Sequence, residues 1–382
     1  VETKEIVALL QDLVRIPSMN PPGSSGDCAR FLRDRFQQEG IDAEIVEGRE
    51  GVANVVARLE GRRRGKRLVL NGHLDVVAPG EEWSVDPFGG AIQDGKLYGR
   101  GTCDMKSGVA AMACAMIDRK RRGADFDGEI VFMGVGDEET GSVCGTVYLL
   151  NENVVEGADF GIVSEPTSLR VELGNRGLRW IDIEVRGKAS HAGRPYLGVN
   201  AIGYAAQIVE AIHSIRFDQR HDFFEIPTPS ISVTMIRGGT KVNIIPERCD
   251  LAVDRRMIPG ETGEQVLEEL RSAIVPIVEQ EKALDVRFKM RPVNWDAYVI
   301  SEDEPIAKVM ITAVEEITGT EPAVTGKAAC TDASYLYHLK GIPTVIFGPG
   351  NEKLSHKPDE CVKIDDLVTA TRVYGAVFEK LL

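Results

Sequence analysis

From residue 3 to about 165 the sequence alternates helical and strand periodicity, and this alternation limits the possible folds more than any other feature. Residues 3–16 and 25–39 carry apolar side chains at helical spacing, whereas 43–46, 54–59 and 67–71 are short β-type runs. A Gly/Pro-rich stretch over 79–101 reads as a long loop. A helix is predicted from about 105 to 121, a strand over 129–135, then a further helix and a strand over 160–164. Alternation of this kind predicts an α/β domain with a mixed, largely parallel sheet sandwiched between helices.

The texture changes near Arg176. Residues 180–185 (WIDIEV) alternate strictly, as a strand with one wet face does. A helix is predicted over 200–214, strands over 230–236 and 249–254, and a helix over 264–280. With a closing strand, this is the split order of a ferredoxin-like α+β unit. After Pro292 the first texture returns, with helices over 304–318 and 334–339, a strand over 343–347 and a last helix from Asp365. The expected organisation is one α/β domain built from 1–175 and 293–382, interrupted by an inserted domain over 176–292.

Size agrees with two domains, because a single core stops growing near ~250–300 residues and the chain has 382. The formal net charge of −14, without a long basic run, argues against nucleic acid as a partner. No apolar run approaches the ~20 residues of a membrane span, and the start reads as an amphipathic helix rather than a signal peptide. It begins with Val, which leaves a processed start open. Seven scattered cysteines without a CxxC pair suit a reducing compartment, so a cytoplasmic location is expected.

Several apolar strands end in acids or histidines, where α/β sheets bind ligands. Leu68–His73–Leu–Asp75 places His73 and Asp75 on one side of extended chain, although a lone His73 could equally be a hydrogen-bonded loop residue. Asp104, after a glycine-rich turn (GRGTCDMKSG), stands where a helix N-cap would, yet that backbone also permits close approach to an ion. The run Asp137-Glu138-Glu139 leaves a buried-type strand for a Gly-bounded turn. Two like charges ~4 Å apart repel by about 4 kcal/mol at an effective dielectric of 20, so the run must splay into water, raise a pKa or hold a cation. Glu165 ends another apolar strand, and His356 follows the strand near the C-terminus. Two imidazoles with several carboxylates and no thiolate cluster suit zinc, and the carboxylates outnumber one tetrahedral site, which favours two ions.

These segments resemble the dinuclear zinc hydrolases that include acetylornithine deacetylase, succinyl-diaminopimelate desuccinylase, aminoacylase and glutamate carboxypeptidase. The resemblance runs over nearly the whole chain: NGHLDVV, the W-x-x-DPF stretch at Trp83–Phe88, GRGTCDMKSG, GDEETG, SEPT, SHAGRPYLGVNAI, KVNIIPERCDLAVDRRMIPG and GPG…SHKPDE, in family order. It implies a zinc-peptidase type catalytic domain with an inserted lid and dimerisation domain. His73 and Glu165 would hold one zinc, and Glu139 and His356 the other. Asp104 would bridge them, Asp75 would orient His73, and Glu138 would be the general base toward the metal-bridging water. Cobalt or manganese are possible substitutes for zinc. The Asp104–Met105 peptide is expected to be cis. In the inserted domain, His191 would reach a zinc site of the other subunit and polarise the scissile carbonyl, while Asn243 and Arg256 would contact substrate. Arg255, next to it in a strand, is expected to be structural, Trp180 and Phe132 to be core, and His213, His221 and His338 to lie outside the site.

The implied activity is hydrolysis of the amide bond of an N-acyl amino acid or related small amide by a homodimer. A dipeptidase, carboxypeptidase or catabolic amidase on the same site is the alternative, and a catalytically silent metal-binding protein a remote one. Relatives often carry a glycine where Ser107 stands, and glycines where Ala328, Ala329 and Cys330 precede Thr331-Asp332. The metal motifs are intact, and the departures fall near the expected specificity pocket.

Overall fold

The computed structural model describes all 382 residues, Val1–Leu382. The chain divides into two compact units, one formed by 1–175, 299–327 and 331–382, the other by 176–298 with 328–330.

In chain order the first unit opens with α1 (Thr3–Val14) and α2 (Gly26–Gln38), then β1 (Asp42–Arg49), β2 (Val52–Glu60) and β3 (Arg63–His73). After α3 (Lys106–Arg121) come β4 (Asp127–Val135), α4 (Thr146–Asn151), β5 (Phe160–Val163) and β6 (Val171–Asn175). The second unit contains β7 (Gly177–Arg186), α5 (Ala201–His213), β8 (Ser230–Gly238), β9 (Arg248–Met257), α6 (Gly263–Val278) and β10 (Asp285–Trp295). The first unit resumes with α7 (Pro305–Thr318), β11 (Val324–Lys327), α8 (Ala333–Lys340), β12 (Thr344–Ile346) and α9 (Ile364–Leu381).

The large sheet runs β1-β2-β4-β3-β5-β12-β6 and ends on Tyr298–Val299, with β11 beside β6. Its centre is parallel: β3 pairs in parallel with both β4 and β5, and β12 with β5. β2 pairs antiparallel with β4. The central strands are buried along their apolar lengths, as expected of strands covered on both faces. α3 is buried along nearly all of its length. Phe132 lies in this core, its ring 5.1 Å from that of Phe36.

The second unit has a four-stranded antiparallel sheet in the order β8-β9-β7-β10. Alternation along β7 places Ile181, Ile183 and Val185 in one core with Cys249, Leu251 and Val253 of β9, and with the apolar faces of α5 and α6. Asn200 caps α5 through the N–H groups of Ile202 and Gly203, and Thr262 with Gln265 forms a capping box on α6. β10 continues to Trp295, so this unit extends past Pro292, and it also takes Ala328–Cys330. Arg255 is fully buried, held by Glu261 and Glu269 and stacked 4.2 Å from the Phe217 ring. Trp180 is half-buried and donates its Nε1–H to Asp254.

The 79–101 stretch is not wholly loop. Ala91–Gln93 and Lys96–Tyr98 form a hairpin that pairs with Cys361–Lys363. Its third strand comes from the far end of the sequence, so local composition gave no sign of it. No helix is long and apolar enough to cross a membrane, and all seven cysteines are free.

Candidate metal centre

The adjacent parallel strands β4, β3 and β5 all finish at one edge of the sheet, and each delivers a chemical group there. His73 is the last residue of β3, Glu138 and Glu139 follow β4, and Glu165 follows β5. Asp104 comes from the turn before α3, and His356 from the loop after β12. Asp104 does not cap α3: the N-cap position is Met105, without a side-chain cap bond. The Asp104–Met105 peptide is cis.

Asp104 is the centre of the cluster. Its Oδ1 lies 3.0 Å from His73 Nε2 and its Oδ2 3.4 Å from His356 Nε2. Glu165 Oε1 is 3.9 Å from His73 Nε2, and Glu139 Oε1 is 3.2 Å from His356 Nε2. Two groups of potential ligands result, His73–Asp104–Glu165 and Asp104–Glu139–His356, each with its donor atoms within 4.8 Å of one another.

The protonation pattern shows what such a cluster needs. His73 Nδ1 is 2.8 Å from the Asp75 carbonyl. A carbonyl only accepts, so Nδ1 carries a proton. Burial opposes a second one, but the hydrogen bond to Asp104 and the charges of Glu138, Asp104 and Glu165 outweigh it and hold His73 well above the usual imidazole range, with the second proton on Nε2, where a metal ion would take its place. Burial drives Glu165 up to about 8, helped by the nearby Asp104 charge. Burial also raises Glu138 well above the usual carboxylate range, with Glu165 and Asp332 adding to it against the opposing pull of His73. Hydrogen bonds to Asp104 and Glu139 push His356 up to about 10. Burial would lift Asp104, but the hydrogen bonds from His356 and His73 outweigh it and hold that carboxyl low. Left to protons alone, the cluster gathers them to cancel its negative charge. Metal ions do the same by taking the place of the protons on the imidazole nitrogens and carboxylate oxygens, so this donor set fits two metal ions.

The Asp75 carboxylate does more than face the imidazole. Its Oδ1 is 3.6 Å from His73 Nδ1, while the two oxygens accept the backbone N–H groups of Glu138 and Glu139, each at 3.2 Å. Asp137 precedes this pair with φ +83°, a left-handed conformation for which Asp is among the better-suited residues. His356 is left-handed too, at φ +64°.

Several supporting groups carried no local signal. Glu360 is fully buried, accepts the N–H groups of Cys103 and Asp104 at 2.8 and 3.0 Å, and pairs with Arg100. Arg100 lies 5.2 Å from the Trp83 ring, which gives that motif tryptophan a task. Asp332 accepts from Ser142 and Thr146, and Tyr335 Oη donates to Gly141 O, so the start of α8 grips the turn after Glu139. Buried Lys327 donates to Pro166 O, beside Glu165, at 3.0 Å. A periodic acid or lysine in the sequence gives no warning of such cross-chain bonds. Ser107 is buried with its hydroxyl unpaired, whereas Gly108 is required: a Cβ there would lie 2.1 Å from the Ser164 carbonyl.

His191, Asn243 and Arg256 belong to the second unit. His191 and Asn243 are brought together, because Ser190–His191 pairs with Ile244–Ile245 and the Ala192 N–H donates to Asn243 O. The Gly193 N–H donates to His191 Nδ1 at 3.0 Å, which leaves the proton of the neutral ring on the exposed Nε2. Arg256, on β9, is held by Asp254 through Nε and a terminal nitrogen. His213 and His338 are exposed, and His221 packs against Phe223 and Phe224.

A paired imidazole–carboxylate cluster at the carboxyl edge of an α/β sheet defines the class as that of the metal-dependent hydrolases. Residues 69–380 match the pattern of peptidase family M20/M25/M40. A succinyl-diaminopimelate desuccinylase of Roseobacter denitrificans is 31% identical over 381 residues, covering 97% of each chain. Among solved structures, a tripeptidase from Staphylococcus aureus has a TM-score of 0.84 at 21% identity, covering 100% of this chain and 99% of the other. A dinuclear metal binding peptidase of the M20 family from Bacillus subtilis has a TM-score of 0.72 at 17% identity, covering 98% and 97%. The chain belongs to peptidase family M20/M25/M40, and it is a hydrolase of amide bonds.

Proposed function

We propose that the chain is a two-zinc amidohydrolase that removes the acyl group of an N-acyl amino acid, with a succinylated diamino acid of the diaminopimelate kind as the first substrate to test. The observation that carries this reading is the shared carboxylate: the two oxygens of Asp104 face two different histidine–carboxylate pairs. His73 and Glu165 would hold one ion, Glu139 and His356 the other, with Asp104 between them. Bound there, the ions would polarise the scissile carbonyl and acidify water.

Glu138 takes the proton of the attacking water and returns it to the leaving nitrogen. Asp75 holds the backbone of that residue still. His191 of the partner subunit, with its Nε2–H free, would donate to the carbonyl oxygen, and Asn243 and Arg256 would contact the developing oxyanion or a substrate carboxylate. Full-length identity to desuccinylases supports the N-acyl amino acid over a peptide.

The homodimer is supported by the outer edge of the second unit. β8 is an edge strand with Met235 and Ile236 exposed, and a groove of about 300 Å³ runs between it and Ala206 and Val209 of α5. The free cysteines support a cytoplasmic location.

The test is amine release from N-succinyl and N-acetyl amino acids and from dipeptides, with and without chelator. Chelator-sensitive release from N-succinyl substrates is expected, with Glu138→Gln losing about 10²–10⁴ in kcat while keeping its metal. Release from dipeptides alone would move the assignment to a peptidase, and a metal-loaded chain inert on every substrate would make it a silent metal-binding protein.

A further inference from the structure

Asn20 lies well before residue 69, where the family match begins, yet it reaches the same site. Ser18 to Asn20 runs alongside the chain as it leaves β3. The Asn20 N–H donates to Val76 O at 2.9 Å, the Val76 N–H to Ser18 O at 3.0 Å, and Ser18 Oγ to Leu74 O at 2.6 Å. Pro21 and Pro22 follow and have no N–H to give, so this short ladder stops at Asn20.

The Asn20 side chain is 2% exposed. Its Nδ2 lies 2.9 Å from Asp75 Oδ2, 3.0 Å from Thr140 Oγ1 and 3.4 Å from Asp137 Oδ1. Asp75 is 1% exposed and Asp137 4%, so two buried carboxylates converge on one neutral amide. All three acceptors belong to the frame around Glu138 and Glu139: Asp75 accepts both of their N–H groups, and Asp137 and Thr140 flank them in the chain. Asn20 has the chemistry this junction needs. An apolar residue would leave the carboxylates without that donor, and an acid would add a third negative charge.

We propose that Asn20 is a positioning residue: its amide fixes the Asp75 carboxylate, and through it the backbone that aims Glu138 and Glu139. The N-terminal segment thereby sets the alignment of the site without touching substrate. This rests on the reading of Glu138 as base, so Glu138→Gln is assayed alongside.

The experiment uses the full-length, metal-loaded protein and compares Asn20→Asp, Asp75→Asn and the double variant. Asn20→Asp keeps the side-chain shape but reverses the donor. It should lower kcat about 10–100-fold with KM little changed, and weaken metal retention against a chelator by a similar factor. The double variant restores one donor and one acceptor across the contact, so its loss should be smaller than the product of the two single losses. Asn20→Ala, read by the same kcat-against-KM split and chelator competition, replaces Asn20→Asp if the latter is insoluble. Wild-type kcat and metal retention in the Asn20 variant, or losses that simply multiply, overturn the proposal. Glu138→Gln with near-normal turnover would overturn the base assignment instead.

Discussion

The two halves of the metal cluster are built differently although they share Asp104. His73 ends a central strand and its side chain is 1% exposed, and Glu165, on the neighbouring strand end, is 7% exposed. His356 sits on a loop in a left-handed conformation and its side chain is 50% exposed. One half takes both its histidine and its glutamate from strand ends, whereas the other pairs Glu139, from the end of β4, with a loop histidine. Ligands fixed by buried parallel strands lose little freedom on binding an ion, whereas a half-exposed loop histidine must be ordered by it. The first half should bind its ion more tightly and exchange it more slowly.

Removing a histidine from each half gives the largest expected effect. His356→Ala should keep about one ion per chain through gel filtration, and His73→Ala should keep less than that. Each change removes a proposed ligand, so the affinity lost at its own site should exceed the about 10–100-fold typical of an outer partner. Elemental analysis decides, and equal occupancy in the two variants would erase the distinction.

Lys327→Met comes next. Lys327 donates to Pro166 O and Glu352 and lies 3.9 Å from fully buried Glu172. Losing it removes one of the two cations beside Glu172, leaving Arg170 at 3.1 Å, and takes the donor from Pro166 O, a change that costs up to about 3–5 kcal/mol. Denaturant unfolding should register this in the metal-stripped protein too, and an unchanged midpoint would show that the ammonium is dispensable. Gly108→Ala should cost less, about 1–3 kcal/mol for overpacking. Because its Cβ would press on Ser164, next to Glu165, the strand-end ion should loosen more than the loop-end one in chelator titrations.

A pH slope in the metal-stripped protein tests both halves together. Glu165 is raised to about 8 and His356 to about 10. Both groups bind protons more tightly folded than unfolded, so each favours the fold at low pH and loses that contribution as pH rises through its folded pKa. Thermal stability of the stripped chain should therefore fall between about pH 6 and pH 10, and metal loading should flatten the slope. A stripped protein that gains stability over that window would contradict the proton-gathering cluster.

The strand ends were legible because strands covered on both faces read as unbroken apolar runs, against which a terminal His, Asp or Glu stands out. The second unit was legible from the strict alternation of β7 and the helix spacing around it. What could not be read was whatever depends on a partner far along the chain. Asp104 has the sequence position of a cap; only the family resemblance pointed to it as the bridging group, and the fold turns it toward two histidines. The hairpin at 91–98 needs Cys361–Lys363 to be a sheet. Asn20, Lys327 and Glu360 are ordinary polar residues until the fold carries each to a backbone or carboxylate distant in sequence. Ala328–Cys330 look like part of the returning domain, yet they pack with the inserted one.

The ligands also differ in when they are made. His73, Asp104 and Glu165 are synthesised before any of the second unit, and His356 only after all of it. At roughly 5–20 residues per second, His73, Asp104 and Glu165 are present for many seconds before His356 exists. A nascent chain that pairs β3 with β4 and β5 would then hold the donors proposed for the first ion, and would complete those proposed for the second only once His356 is made.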